Sequence, residues 1–234
     1  MGMTDGIRFY SAGAWSVIGI IILVCLIIVI IPLIFLGLVG AAVSRLGFSW
    51  IAAVAVVLLM LIGSAINIPV GNIRREMIRM EHTDGVIPHC NEPWETSIAI
   101  NLGGAVIPVA IACYLLYILT RSIGTSIGLS VIMGVLIVAA LSFVATRRMS
   151  GLGLRAPLFM PGLAALLCGF LLAGSVGLAA GVIAFVSSTF GTLIGANIAN
   201  LPRIRELGIS EFSIGGAGTF GAVFIGCILS ALIA

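Results

Sequence analysis

WSVIGIIILVCLIIVIIPLIFLGLVGAAV, residues 15–43, runs without one charged side chain. A helix needs roughly 20 apolar residues to cross the hydrocarbon core of a bilayer. This run exceeds that length, so it must tilt or begin in the interface. It is also far longer than the apolar core of a cleavable signal peptide, about 7–15 residues. Only Arg8 stands before it among the basic residues. It therefore reads as a retained first span.

Six further stretches repeat the pattern: 50–70, 97–119, 123–145, 157–173, 177–199 and 213–234. The expected fold is all-α, a polytopic membrane protein with seven transmembrane helices in one domain. The fifth and sixth spans are separated only by Gly174 to Val176, so a re-entrant pair is the alternative there. Composition agrees. The chain has 234 residues, 61% hydrophobic and 8% charged, against about 25% charged in soluble domains. A soluble enzyme, a disordered chain and a nucleic-acid binder are excluded. Glycine numbers 30, nearly twice the usual share of about 7%. In a bilayer that excess reads as close helix packing, with GxxxG spacings at Gly124/Gly128, Gly177/Gly181 and Gly191/Gly195. Four cysteines (Cys25, Cys113, Cys168, Cys227) fall in apolar segments and only Cys90 in a polar one, which is no disulfide framework.

The basic residues are all arginine, and they segregate. With seven spans, Arg8, Arg74, Arg75, Arg79, Arg147, Arg148, Arg155, Arg203 and Arg205 share one side, leaving Arg45 and Arg121 on the other. Nine against two predicts a cytoplasmic N-terminus and an external C-terminus in the cell membrane. No Asp, Glu, Arg or His lies within a span, which argues against proton relays, ion-coupled carboxylate sites and aspartyl intramembrane proteolysis. No nucleophile–base pair and no HExxH motif is evident, so no enzyme and no cofactor is expected.

The sequence also resembles itself. LIGSAINIPVGNIRR (61–75) matches LIGANIANLPRIR (193–205) with one gap. SIAINLGGAVIPVAIAC (from Ser97) matches SIGGAGTFGAVFIGC (from Ser213). Pro32 precedes Asn67 by 35 residues and Pro161 precedes Asn197 by 36. The reading is a parallel 3+1+3 plan: repeat one over 15–119, a linker helix at 123–145 and repeat two over 157–234.

Amides are costly in lipid unless paired. Asn67, Asn101, Asn197 and Asn200, with Thr192 and Thr219, are therefore candidate solute contacts; the competing reading is interhelical glue. Pro32, Pro69, Pro161, Gly215, Gly216 and Gly218 are candidate hinges. Segment 71–96 is read as a cytoplasmic loop opening with an interfacial helix after Pro69. Its Arg74, Arg75 and Arg79, with Arg147 and Arg148, are assigned to lipid headgroups. His82, His89 and Cys90 fit no closed metal site, and GLGLRAPLFMP (151–161) marks a turn and helix start, not a nucleotide-binding loop.

GTLIGANIANLPRIRELG (191–208), followed by SIGGAGTF and preceded at a distance by GSAINIP (63–69), resembles the domain of unknown function 1614 family of prokaryotic integral-membrane proteins. The resemblance covers most of the chain outside 71–96. It implies a multi-span membrane protein and no established activity. It also implies acidic residues at the positions of Asn197 and Gly221, two membrane-edge charges that this chain lacks. The leading expectation is a transporter or permeation protein for a small polar solute without ion coupling. The alternative is a structural or assembly subunit, a homo-oligomer or the partner of another membrane protein.

Overall fold

The computed structural model describes residues 14–79, 90–123, 127–149, 153–204 and 211–234. The chain divides into two units, Met1–Leu38 and Val39–Ala234.

The first unit is the leading part of α1 (Ala14–Ser44), whose interior holds Pro32. Its side chains from Ile20 to Phe35 are exposed all around the helix. Apolar residues on every face suit a helix solvated by lipid. At 1.5 Å per residue, α1 is about 46 Å long.

In the second unit, the end of α1 packs on α2 (Trp50–Gly63), with Gly40 set against Val54. Ser49 starts α2 as its N-cap, its hydroxyl accepting from the Ala52 amide at 3.3 Å. The centre is α6 (Leu178–Thr192), buried almost without break from Ala180 to Thr192. Around it lie α3 (Ile107–Ile123), α4 (Ile127–Ala145), α5 (Met160–Ala173) and α8 (Phe220–Leu232). A short α7 (Leu201–Ile204) follows α6. Pro161 sits in the first turn of α5, where its missing N–H breaks no helical bond, and Gly174 closes the helix at φ 73°. The Gly177 amide then donates to Ile233 O at 2.7 Å, tying the α5–α6 turn to the end of α8.

Each of the seven apolar stretches contains a helix, but among the described residues only Ile20–Ser44, Leu102–Ser122, Ile127–Ala145 and Leu178–Ile204 are long and apolar enough to cross a membrane. Trp50–Gly63, Met160–Ala173 and Phe220–Leu232 are shorter. An all-α fold is corrected here: the missing lengths are strands and turns. β1 (Asn67–Arg79) and β2 (Cys90–Asn101) pair antiparallel from Asn67↔Asn101 to Arg79↔Cys90. β5 (Glu211–Ile214) joins β2 in parallel, giving the order β1-β2-β5. β3 (Arg147–Met149) and β4 (Gly153–Arg155) form a second, two-stranded sheet.

The segment read as loop 71–96 with an interfacial helix is thus largely a hairpin, though residues 80–89 lie outside the described part. The physical reason is that Ile68, Val70, Ile73 and Ile78 are β-branched and favour extended backbone, and β2 supplies a ladder partner along the whole segment. Pro69 cannot donate to a ladder, and it is accommodated by a bulge between Pro69 and Gly71.

The glycine excess is packing, as composition implies. A Cβ on Gly191 would strike Val138, one on Gly195 Ala139 O, and one on Gly181 Ala234. Gly128 meets nothing within 4 Å, so its GxxxG spacing is not a contact, and Gly124 lies outside the described residues.

Candidate functional site

Four chain breaks converge at one end of the second unit. α2 stops at Gly63 and passes to β1. β2 passes into a π-helical turn, Leu102–Val106, before α3. α6 runs into a second π-helical turn, Leu193–Ile198, with the Ala199 amide reaching back to Ile194 O at 2.8 Å. β5 enters α8 through the glycine turn that begins at Gly215, where φ is 74°. Single π-turns are uncommon, and they gather at functional positions because they re-aim side chains.

The glycine turn is pinned from both sides. Gly104 packs directly on Gly215 O, and Gly218 on Leu154 O, so neither glycine has room for a methyl group. The Ala156 amide donates to Gly218 O at 3.0 Å. Gly216 packs against the side chain of Ser213.

At this junction lies a cavity of about 180 Å³ lined by Asn67, Asn197, Ser213, Thr219 and Glu211, with Leu154 and Phe212 as apolar walls. Asn197 is fully buried and Thr219 nearly so, whereas Asn67 and Glu211 are exposed at the rim. Asn67 and Asn197, which align when the two similar sequence segments are matched, therefore line one cavity. Asn197 Nδ2 donates to Thr219 Oγ1 at 3.2 Å, while its Oδ1 has no partner among the described residues. Asn67 Oδ1 accepts from Asn101 Nδ2 at 2.9 Å and from the Ser213 hydroxyl at 2.6 Å. Its carbonyl end is thus occupied. An amide donor, an amide acceptor, two hydroxyls and a carboxylate surround a volume equal to about six liquid waters.

The other predicted contacts stand elsewhere. Asn101 is fully buried and braces the junction: it donates to Ser64 O at 2.7 Å and accepts from the Gly104 amide at 2.7 Å, capping the first π-turn. Asn200 closes the second, donating to Gly195 O at 2.8 Å and accepting from Arg203 at 2.7 Å. The Arg203 guanidinium in turn lies 4.4 Å over the Phe143 ring. Thr192 is buried without a partner among the described residues and does not line the cavity. Of the hinge positions, Pro32 lies within α1, Pro69 at the bulge and Pro161 at a helix start, whereas Gly215, Gly216 and Gly218 build the cavity turn. The side chains of Arg74, Arg75, Arg79, Arg148 and Cys90 lie outside the described residues, as do His82 and His89.

Sequence reasoning missed Glu211. A signal was present: Glu-Phe-Ser-Ile at 211–214 repeats Glu-Thr-Ser-Ile at 95–98, extending the internal match two residues upstream. The structure places both segments side by side in β2 and β5.

Among known proteins, the family described as protein of unknown function (DUF1614) matches residues 61–233. No curated protein and no solved structure matches the chain. The family match takes in the cavity, both π-turns and all five strands, and it leaves out all of α1 and most of α2.

Proposed function

The chain belongs to the protein family of unknown function DUF1614, and from that premise we propose that it carries a small, uncharged polar solute across the membrane through the Asn67–Asn197 cavity. One observation carries this reading: a buried amide, Asn197, keeps one end without a partner at a cavity where helices are broken. An unmet amide in a water-poor interior costs roughly 1–3 kcal/mol. A solute that answers it recovers that energy. Donors and acceptors mixed around about 180 Å³ suit a molecule offering both.

Seven crossings, a cytoplasmic N-terminus and the parallel 3+1+3 plan belong to the same reading. The parallel pairing of β2 with β5 supports it. Parallel strands that each lead into a helix start those helices, α3 and α8, in the same sense. An even number of passages must then lie between them, and α3, α4, α5 and α6 are four. The short helices fall below bilayer thickness because strand ends and glycine turns complete their paths, and such backbone is tolerated at depth only where it lines protein or a cavity. In this mechanism Asn67 and Asn197 hold the solute, Asn101 holds Asn67, and the 215–219 turn yields as the two triple-helix units rock.

The test is stopped-flow light scattering on liposomes containing the full chain, with urea and glycerol as probe solutes. Swelling faster than in protein-free liposomes is expected, with the excess lost in Asn197→Leu and Asn67→Leu. Unchanged flux in both variants would remove the cavity from the pathway. No excess flux in the parent protein would overturn permeation and favour the assembly-subunit reading.

A further inference from the structure

A second concavity lies where α4 ends and α5 begins; it adjoins the polar cavity through β4, Leu154 lining the first and Arg155 this one. Its volume is about 720 Å³, and Val144, Leu158 and Met160 form apolar walls around Arg147, Met149 and Arg155. In the β3–β4 pair, Arg147 stands directly opposite Arg155 and Met149 opposite Gly153. Directly opposed residues of an antiparallel pair share one face, and like charges placed so repel. No acidic side chain lines the groove. Among the described residues, neither arginine makes an ion pair; the closest polar contact of Arg155 is Met149 Sδ at 3.9 Å.

Two guanidiniums held side by side, uncompensated and above an apolar trough, are complementary to one ligand chemistry. A phosphate diester satisfies both forks at once, and an acyl chain on the same molecule covers the trough. We propose that this groove binds one anionic phospholipid, its phosphate between Arg147 and Arg155 and a chain along Leu158 and Met160. The volume lies within the usual range of ligand sites, about 300–1,000 Å³. Arginine pockets at helix ends are a known means of holding acidic headgroups. This assignment does not depend on what passes through the Asn67–Asn197 cavity.

Native mass spectrometry of the full chain in neutral detergent tests it, with phosphatidylglycerol and phosphatidylcholine of identical chains as probes. One retained phosphatidylglycerol is expected, with phosphatidylcholine retained about tenfold less, because its choline cation offsets the phosphate charge and is repelled by the two guanidiniums. Arg147→Gln combined with Arg155→Gln should abolish that preference, and Arg155→Lys should keep part of it. Should the double variant fail to fold, Leu158→Trp fills the trough while keeping both charges, and it should also lose the lipid. Arg121→Gln, at the end of α3, should change nothing. Equal retention of both lipids would overturn the proposal, as would an equal loss in Arg121→Gln. Displacement of the lipid by excess inorganic phosphate would assign the arginine pair to free phosphate instead and overturn the lipid assignment.

Discussion

The side chain of Asn101 answers three groups at once: Ser64 O, Asn67 Oδ1 and the Gly104 amide. Asn197, equally buried, answers only Thr219. Removing Asn101 therefore creates orphans, whereas removing Asn197 deletes one, its own Oδ1, and leaves another, the Thr219 hydroxyl. Single interhelical hydrogen bonds in membranes average about 0.6 kcal/mol, since the unfolded chain also finds partners. A buried amide or carbonyl left without a partner costs more, about 1–3 kcal/mol. The second term wins at Asn101, so Asn101→Leu should destabilise by about 2 kcal/mol or more. Asn197→Leu should move stability by less than about 1 kcal/mol, in either direction. Denaturant unfolding in mixed micelles measures both. Equal damage from the two would make Asn197 glue, whatever its place beside the cavity. The asparagines were legible in the sequence as costly groups needing an explanation. Their division into brace and site was not, because it depends on partners as distant as Ser213 is from Asn67.

Helix packing supplies the next scale. α6 turns Ser187 toward Gly134 of α4 and Ser188 toward Gly226 of α8, each hydroxyl occupying the space that a Cβ on the glycine would need. Both hydroxyls lack hydrogen-bond partners among the described residues. Shape, then, holds these contacts. Gly226→Ala should cost about 1–3 kcal/mol through overpacking. Ser188→Gly alone should cost about 1 kcal/mol of helix propensity. Together they should cost less than their sum, because the second change opens the space that the first requires. Strict additivity in a double-mutant cycle would mean the two helices do not meet there. The apolar runs made every helix legible, yet not its ends. Ala65 to Val70 and Ser97 to Ile100 are as apolar as the spans they adjoin, and short apolar runs carry no period that separates strand from helix. Pairing decides them, and β1, β2 and β5 find their partners across 11 to 114 residues of chain.

For the whole molecule, the arginine distribution and the parallel β2–β5 pair make separate demands on topology: both are met if α4 crosses, and both are met whether α5 and α6 cross in turn or turn back together. The two similar sequence segments that prompted this plan take different local forms: Asn67 opens a strand, and Asn197 sits in a π-turn. Sequence likeness therefore marked equivalent positions without marking equivalent backbone, since the same apolar alphabet serves both. Topology must be tested directly. Ser122 follows the body of α3, Met149 lies beyond α4, and Ser175 lies in the α5–α6 turn; all three are exposed. In a cysteine-free background, Ser122→Cys and Ser175→Cys should react with a membrane-impermeant maleimide in intact cells. Met149→Cys should react only after permeabilisation, since the side with more arginine faces the cytoplasm. Labelling of Ser122→Cys and Met149→Cys from one side would deny that α4 crosses. Protection of Ser175→Cys, with the other two behaving as stated, would make α5 and α6 a re-entrant pair. The crossings would then number five, and α3 and α8 would still start on one side. The second triple-helix unit would then not exist, and rocking of two like units could not be the mechanism.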